Sequence, residues 1–388
     1  MSLDLTKVAS QVEEMVARLE SGASKGRERF DCALDTLRSQ ADSLEHLRGK
    51  IISSKTTWLV AGLVDRLDKR YKAPPLPADF IVIATDGSHI DVDRHQSTRC
   101  YLINIGSVLL YYGAQSKAVL DSFPRLYAED KDLVITSPAG RGREQRIEDV
   151  LLGAKRSVDE CQRLAELVAE LPAGSSALAL MDGSLILWGL AAYPEFVTEV
   201  LLDRGFLVYF SEIRKLSKDR RLALASYISF PRSTDVINVL RVALCPYEPP
   251  DCDRHCSNKE DPDCDKVAGI QDRELFASLL AEGERSALFI SRSSVVQKHY
   301  GENSVYFFYL RVDEEIARVE IPQWVATDES RLALVHSLVL DQCRLGHGYP
   351  VALSEAHEQA VVREADRQSF WQLVESSVVG EHLPSHSS

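Results

Sequence analysis

The tripeptide Asp-Gly-Ser occurs twice in this chain, and each copy directly follows an apolar run. The first copy is Asp86-Gly87-Ser88, after residues 80–85, and the second is Asp182-Gly183-Ser184, after residues 177–181. Each pattern predicts a buried strand that carries a carboxylate at its end. Two such strands side by side would bring two carboxylates within reach of one divalent cation.

The same tripeptide has a simpler interpretation, because Asp-Gly is also a strong turn signal. A hairpin needs alternating apolar residues on both sides of its loop. The chain after Asp86 is polar, whereas the chain after Asp182 continues apolar over residues 185–188. The flanks therefore leave a metal site and an ordinary turn as open alternatives.

Length and composition set wide limits on the architecture. The chain has 388 residues, of which 45% are apolar, enough for a proper core in one elaborated domain or in two or three units. It contains no apolar stretch near the roughly 20 residues that span a bilayer. Its first residues lack the apolar centre of a signal peptide. We therefore expect a cytoplasmic protein that does not enter a membrane.

The charge and the missing motifs exclude several functions. A formal net charge of −13 argues against a protein that coats nucleic acid non-specifically. It leaves room for a nuclease, because a carboxylate metal site is acidic by construction. The sequence has no Walker phosphate loop, no Gly-x-Gly-x-x-Gly and no Gly-x-Ser-x-Gly elbow. ATP hydrolysis, dinucleotide chemistry and a serine hydrolase therefore have no support.

The order of the elements predicts an N-terminal helical arm over residues 1–73, followed by an α/β domain over 78–379 and a disordered tail over 380–388. Prolines at 74–77 end the arm. A long helix is expected over 144–170, and the last two strands are expected to form a hairpin. The predicted strands are 80–85, 100–106, 108–112, 177–181, 205–210, 287–290, 305–310 and 317–321.

Four of the eight cysteines are crowded into a polar, proline-containing insert over residues 245–264. They are Cys245, Cys252, Cys256 and Cys264. Such a segment has almost no apolar residues, so a structural zinc ion is one way to hold it together. An iron–sulfur cluster, free thiols and a disulfide remain as alternatives, because the spacing is not that of paired Cys-x-x-Cys knuckles.

Several motifs together resemble the NurA nucleases. They are the strand with Asp86-Gly87-Ser88, the strand with Asp182-Gly183-Ser184-Leu185, and the late segments 317–324 and 350–358. The resemblance runs from about residue 80 to residue 373. It implies an RNase H-like mixed central sheet with flanking helices. It also implies a manganese-dependent 5′–3′ exonuclease with single-strand endonuclease activity, which forms homodimers and processes DNA ends for repair with a HerA-type hexameric ATPase.

The resemblance also implies an active site. Asp86 and Asp182 match two metal-binding aspartates, and Glu166 best matches a glutamate on the intervening helix, with Glu160 and Glu148 as alternatives. His357 matches a late histidine that binds metal or transfers a proton, and Tyr349 matches a tyrosine that positions phosphate or water. Lys215 matches, loosely, a phosphate-binding residue.

This site is chemically coherent for phosphodiester cleavage. Carboxylate oxygens suit Mg²⁺ or Mn²⁺, and an imidazole ligand favours Mn²⁺. Two other functions stay open: a catalytically silent adaptor that docks on an ATPase ring, and an RNase H-like nuclease acting on RNA or hybrids.

Overall fold

The structure is a computed structural model that describes residues 4–92, 99–137, 140, 142–257 and 259–380. The strands are β1 (Gly62–Leu63), β2 (Arg70–Tyr71), β3 (Phe80–Ile90), β4 (Tyr101–Tyr112), β5 (Lys117–Tyr127), β6 (Val134–Thr136), β7 (Glu144–Arg146), β8 (Ser176–Asp182), β9 (Arg221–Ile228), β10 (Arg285–Ser286), β11 (Phe289–Ile290), β12 (Val305–Val312) and β13 (Glu315–Pro322). The helices are α1 (Leu5–Gln40), α2 (Leu44–Ser53), α3 (Asp130–Leu133), α4 (Val150–Ala169), α5 (Glu195–Thr198), α6 (Leu207–Leu216), α7 (Asp235–Leu244), α8 (Cys252–His255), α9 (Asp272–Leu279), α10 (Gln323–Ala326), α11 (Glu329–Leu345), α12 (Val351–Ala360) and α13 (Glu364–Gly380).

These elements form the predicted RNase H-like α/β fold with a mixed central sheet. Within the described ranges, eleven strands belong to one sheet, and helices flank it. The chain divides into two compact units, one of residues 1–71, 230–292 and 308–316, the other of residues 72–229, 293–307 and 317–388.

The larger unit is built on the strand order β13-β9-β8-β3-β4-β5. Strands β3, β8 and β9 are parallel, because long helical connections separate them, whereas β4 and β5 follow β3 as an antiparallel meander. The parallel strands are apolar almost throughout, as expected for a sheet that is covered on both faces.

Helices α4 and α12 cover opposite faces of β3. Thr85 donates a hydrogen bond to the carbonyl of Glu160 in α4, and Ser88 donates one to the carbonyl of Ala360 in α12. Since side chains alternate along a strand, residues 85 and 88 point to opposite faces. Strand β3 therefore lies between a helix that carries Glu160 and a helix that carries His357.

The smaller unit packs helices around α7. Helices α1, α2 and α9 contact α7. A buried carboxylate, Asp272, accepts hydrogen bonds from the backbone N–H groups of Val236 and Ile237 and from the Tyr309 hydroxyl. It thereby satisfies donors at the N-terminus of α7, which water cannot reach.

Several predicted elements differ from the structure. Residues 205–210, predicted as a strand, are helical, because a π-helical segment over 199–206 continues into α6. Buried side chains at 207, 210 and 213 are three residues apart, and those at 206 and 210 are four apart, which is a helical period. The strands predicted over 100–106 and 108–112 are one strand, β4, and β5 was not predicted. The predicted hairpin at the end is confirmed as β12 and β13.

The first Asp-Gly-Ser is not a turn. Asp86 lies inside β3, four residues before its end, whereas Asp182 is the last residue of β8, as predicted. Gly183, with φ of +77°, then turns the chain. The predicted domain limits stay a prediction, and the predicted tail after residue 380 lies outside the described residues. In the part of the chain that is described, no helix is both long and apolar enough to cross a membrane.

Candidate active site

Two aspartates lie side by side on neighbouring parallel strands. Thr85 of β3 is in register with Met181 of β8, so the next residues, Asp86 and Asp182, occupy equivalent positions. Because the register is shared, their side chains project from the same face of the sheet. The doubled tripeptide thus brings two carboxylates to one edge of the fold.

Glu160 of α4 approaches these aspartates from the other face, and Gly87 leaves the space for it. A Cβ atom at Gly87 would lie 2.6 Å from Glu160 Oε1 and 2.8 Å from Arg156 Cγ. Both distances are below normal van der Waals contact. The glycine of the first Asp-Gly-Ser is therefore needed for the close approach of the helix carboxylate, rather than for a turn.

His357 reaches Asp86 because α12 packs directly on the backbone of β4. Gly106 pairs with Asp86 across the two strands, and a Cβ atom at Gly106 would lie 2.1 Å from the Ala356 carbonyl oxygen. The helix is held by the Asn104 amide, which donates to the Ala360 carbonyl over 2.9 Å. This packing sets His357 Nδ1 2.7 Å from Asp86 Oδ2.

Tyr349, in the turn before α12, fixes the second aspartate. Its hydroxyl donates to Asp182 Oδ1 over 2.8 Å, and its ring packs edge-on against the buried ring of Tyr227 at 5.5 Å. Burial, and then the neighbouring Asp182 charge, raise the pKa of Tyr349. The phenol therefore keeps its proton and acts as a hydrogen-bond donor to the carboxylate.

The three carboxyl groups repel one another electrostatically. Burial raises the pKa of Glu160 to about 8; the Arg156 cation opposes the shift, and Asp86 and Asp182 add to it. Burial also raises the pKa of Asp182, with a further contribution from Asp86. Such crowding of acids beside the Arg156 guanidinium produces a site that a cation would stabilise.

A cavity of about 350 Å³ opens beside the carboxylates. Asp86, Glu160 and Asp182 line it together with Arg156 and Trp188. Arg156 Nε lies 3.1 Å from Glu160 Oε1 as an ion pair. Neither of these two buried atoms has a hydrogen-bond partner within the described part of the chain, since their alignment is poor.

The loop after Asp182 is anchored by a buried glutamate on β13. Glu320, 1% exposed, accepts hydrogen bonds from the Ser184 hydroxyl at 2.8 Å and the Leu185 N–H at 2.9 Å. Its second oxygen accepts one from Arg318 Nε, also at 2.9 Å. A buried carboxylate needs partners of this kind. The serine of the second Asp-Gly-Ser therefore serves to hold the loop.

The structure separates three other candidates from this cluster. Glu166 is exposed and accepts hydrogen bonds from Gln162 and Arg163, so the glutamate beside Asp86 and Asp182 is the alternative, Glu160. Glu148 precedes α4. Lys215 is exposed in the last turn of α6 and does not line the cavity, where the nearby cation is Arg156.

At the cysteine-rich insert, a structural zinc ion stays a prediction, because the described side chains do not gather as its ligands. All four of its cysteines carry free thiols, and no three His, Cys, Asp or Glu side chains of the described residues are grouped as metal ligands there. The segment is held by other contacts. Asp251 caps α8, the rings of Tyr247 and His255 stack at 4.0 Å, and Arg241 pairs with Asp265 at 2.6 Å.

The described side chains of the carboxylate cluster are likewise not grouped as ready-made metal ligands. There each acid already has a protein partner: Asp86 has His357, Asp182 has Tyr349 and Glu160 has Arg156. The residues nevertheless suit a hard divalent cation, because they supply three crowded carboxyl groups. Glu160 Oε1, which is buried without a hydrogen bond in the described structure, is the acceptor most in need of one.

The architecture and the similarity to known protein families agree on the kind of protein. A mixed sheet with flanking helices places the chain in the class of RNase H-like α/β proteins. Residues 80–362, more than half of the chain, match the NurA domain, so the chain belongs to the NurA family, a family of nucleases. No curated protein matches the chain.

One solved structure shows a partial likeness, prototype foamy virus protease-reverse transcriptase. It is 10% identical over 41% of this chain and 19% of that chain, with a TM-score of 0.21. A likeness this small carries no argument about function.

Proposed function

We propose that this protein is a Mn²⁺-dependent deoxyribonuclease whose active site contains Asp86, Glu160, Asp182, Tyr349 and His357. The observation that carries the proposal is the convergence of three carboxyl groups from two in-register strands and one helix. Mg²⁺ is the alternative ion, and the imidazole of His357 favours Mn²⁺. A divalent ion bound there would lower the pKa of a bound water and neutralise charge on the leaving oxygen.

The protein's own groups would orient the reaction. Asp86, Glu160 and Asp182 would hold the ion. Tyr349 keeps the Asp182 carboxylate in one orientation through its hydrogen bond. His357 is exposed and contacts Asp86 through Nδ1, so it can serve as a ligand or carry a proton at its second ring nitrogen.

Arg156 is the group we assign to the scissile phosphate, in place of Lys215. Its side chain is one-third exposed and lines the cavity beside the carboxylates. A guanidinium matches the geometry of phosphate oxygens with two parallel donors. If Glu160 held the cation, Arg156 would lose its anionic partner and would be available to the substrate.

Family membership supports the rest of the proposal. This further part of the proposal is that the protein has 5′–3′ exonuclease and single-strand endonuclease activity on DNA ends in repair. It also includes a homodimer, a HerA-type ATPase partner and a cytoplasmic location. Opposite end labels on the same oligonucleotide would reveal the polarity. Sedimentation with and without the ATPase would test both assemblies.

The experiment that tests the nuclease is cleavage of labelled single- and double-stranded DNA with Mn²⁺, Mg²⁺ or chelator. We expect cleavage with Mn²⁺, none with chelator, and a loss of at least about 100-fold in Asp86→Asn and Asp182→Asn, because even residues behind metal ligands affect activity 10- to 100-fold. Wild-type activity in either variant would refute the assignment. Inactivity of the wild type with every ion, together with tight binding to the ATPase, would favour the adaptor.

A further inference from the structure

Trp188 stands at the cavity that holds the candidate active site. It is 44% exposed and lines the cavity with Asp86, Glu160 and Asp182. Single exposed apolar side chains are ordinary on protein surfaces. Trp188 differs from an ordinary surface residue because its indole is fixed by a buried network.

The network runs from the indole to a buried ion pair. Trp188 Nε1 donates to Ser184 Oγ at 3.2 Å, and Ser184 Oγ donates to Glu320 Oε2 at 2.8 Å. Glu320 is in turn held by Arg318, and both are almost fully buried. A hydrogen-bonded indole of this kind keeps its ring plane oriented in the absence of a ligand.

The loop is also fixed on its other side. The buried Tyr300 hydroxyl donates to the Leu185 carbonyl at 2.9 Å and accepts from the Leu187 N–H at 3.2 Å. Gly189 packs against α4 so closely that a Cβ atom there would lie 2.6 Å from Val150 Cγ1. The ring of Trp188 therefore faces a rigid and preformed space.

The rest of the cavity lining leaves room for a flat group. Gly153, Ala154 and Ser157 of α4 contribute small side chains, and the cavity volume is about 350 Å³. Arg156 adds a cation beside the carboxylates. An aromatic face, an open volume and a cation together are the features that bind an unpaired nucleotide, by stacking on its base and contact with its phosphate.

We propose that Trp188 stacks on the unpaired base of the DNA nucleotide next to the scissile phosphate, and that Glu320 is the positioning residue that holds it. The proposal rests on the nuclease function above. It adds that the substrate must present an unpaired base at the site, so the enzyme would need a single strand or a frayed end.

The first test measures binding of a fluorescein-labelled single-stranded oligonucleotide in chelator, where no cleavage occurs. We expect Trp188→Ala to weaken binding about 5- to 150-fold, the range for loss of one base–aromatic stack. Trp188→Phe should stay within a few-fold of wild type. Phe230→Ala, which removes another exposed aromatic side chain, 57% exposed and not in the cavity, is the matched control and should have no effect.

An oligonucleotide with one abasic site identifies the stacked base. Scanning that site along the strand should find a position where wild type loses as much affinity as Trp188→Ala does, and where the variant loses nothing more. If an abasic site lowers the affinity of Trp188→Ala at every position as much as it lowers that of wild type, the stacking proposal is wrong.

Glu320→Gln tests the positioning role. It removes the charge partner of Arg318 while keeping a similar shape. With the Trp188→Phe signal subtracted as the blank, acrylamide should quench the fluorescence of Trp188 more strongly in Glu320→Gln than in wild type. Glu320→Gln should also bind the oligonucleotide more weakly. Lys155→Met, which breaks the ion pair with Asp159 at two residues that do not line the cavity, controls for a loss of stability. Equal quenching in Glu320→Gln and wild type would overturn the role.

The outcomes separate this proposal from the nuclease itself. A wild-type protein that binds and cleaves DNA, with Trp188→Ala unchanged in both, would refute the stacking site and leave the nuclease standing. A wild-type protein that neither binds nor cleaves DNA would refute both.

Discussion

Replacing Glu160 by Gln should stabilise the metal-free protein at alkaline pH while destroying its activity. Burial raises the pKa of Glu160 from 4.5 to about 8. At about 1.4 kcal/mol for each pH unit, this difference corresponds to roughly 5 kcal/mol of folding free energy. Gln has nearly the same shape and no charge, so it lacks this dependence on pH.

The sign follows from proton binding. An acid with a higher pKa in the folded than in the unfolded protein holds its proton more tightly when folded. Its contribution to stability is complete below the unfolded pKa and is lost as pH rises through the folded pKa. For Glu160 the loss should occur between about pH 4.5 and pH 8.

The assay is urea unfolding, followed by circular dichroism, in chelator at several values between pH 5 and pH 8.5. We expect the free energy of unfolding of wild type to fall by several kcal/mol more than that of Glu160→Gln over this range. Glu166→Gln, on the exposed face of the same helix, should follow wild type. If the free energy of unfolding changes with pH equally in wild type and Glu160→Gln, the conclusion that Glu160 is a buried carboxyl group with a raised pKa is refuted.

Three further predictions concern other contacts of the structure. In Gly106→Ala, the new Cβ atom would lie 2.1 Å from the Ala356 carbonyl oxygen and should displace α12. We expect the free energy of unfolding, measured in urea, to fall by about 1–3 kcal/mol and the activity to fall as well. The control is Gly49→Ala, because no atom lies within 4 Å of its Cβ position. Tyr349→Phe removes a hydrogen bond that lowers the pKa of Asp182, so the acid limb of the pH–rate profile should move to higher pH; an unmoved limb would contradict the contact. Burial raises the pKa of the Asp272 carboxyl group to about 7. Asp272→Asn removes this group, so its free energy of unfolding should fall less between about pH 4 and pH 7 than that of wild type. An equal fall in both proteins would contradict this.

The strands of the active site could be predicted from the sequence because their signal is local. An apolar run that ends in Asp-Gly-Ser indicated β3 and β8. Their register, which sets Asp86 beside Asp182, depends on pairing between residues about a hundred positions apart. Local pattern carries no information about such pairing.

The choice of Glu166 stays a prediction, and the structure gives a physical reason to propose Glu160 in its place. The two residues are six positions apart on α4, so they lie on different faces of the helix. Leu164 and Val168 are buried, and Glu160 continues their line one turn earlier, as an acid on the apolar face. That misplaced charge was the available signal, whereas Glu166 falls on the polar face.

Other features had no local signal. The apolar run 205–210 is short enough to fit either a strand or a buried helix, and its burial on one helical face decided the outcome. Glu320 lies 136 residues after the Ser184 that it anchors. Its role could be seen only once the sheet had brought β13 near β8.

The most direct test of the active site compares Mn²⁺-dependent DNA cleavage by Glu160→Gln and Glu166→Gln. The two variants make the same chemical change on the same helix, one beside Asp86 and Asp182 and the other on the surface. We expect a loss of at least about 100-fold for Glu160→Gln and activity within about twofold of wild type for Glu166→Gln. Full activity in Glu160→Gln, or loss of activity in Glu166→Gln, would contradict the carboxylate cluster as the catalytic site.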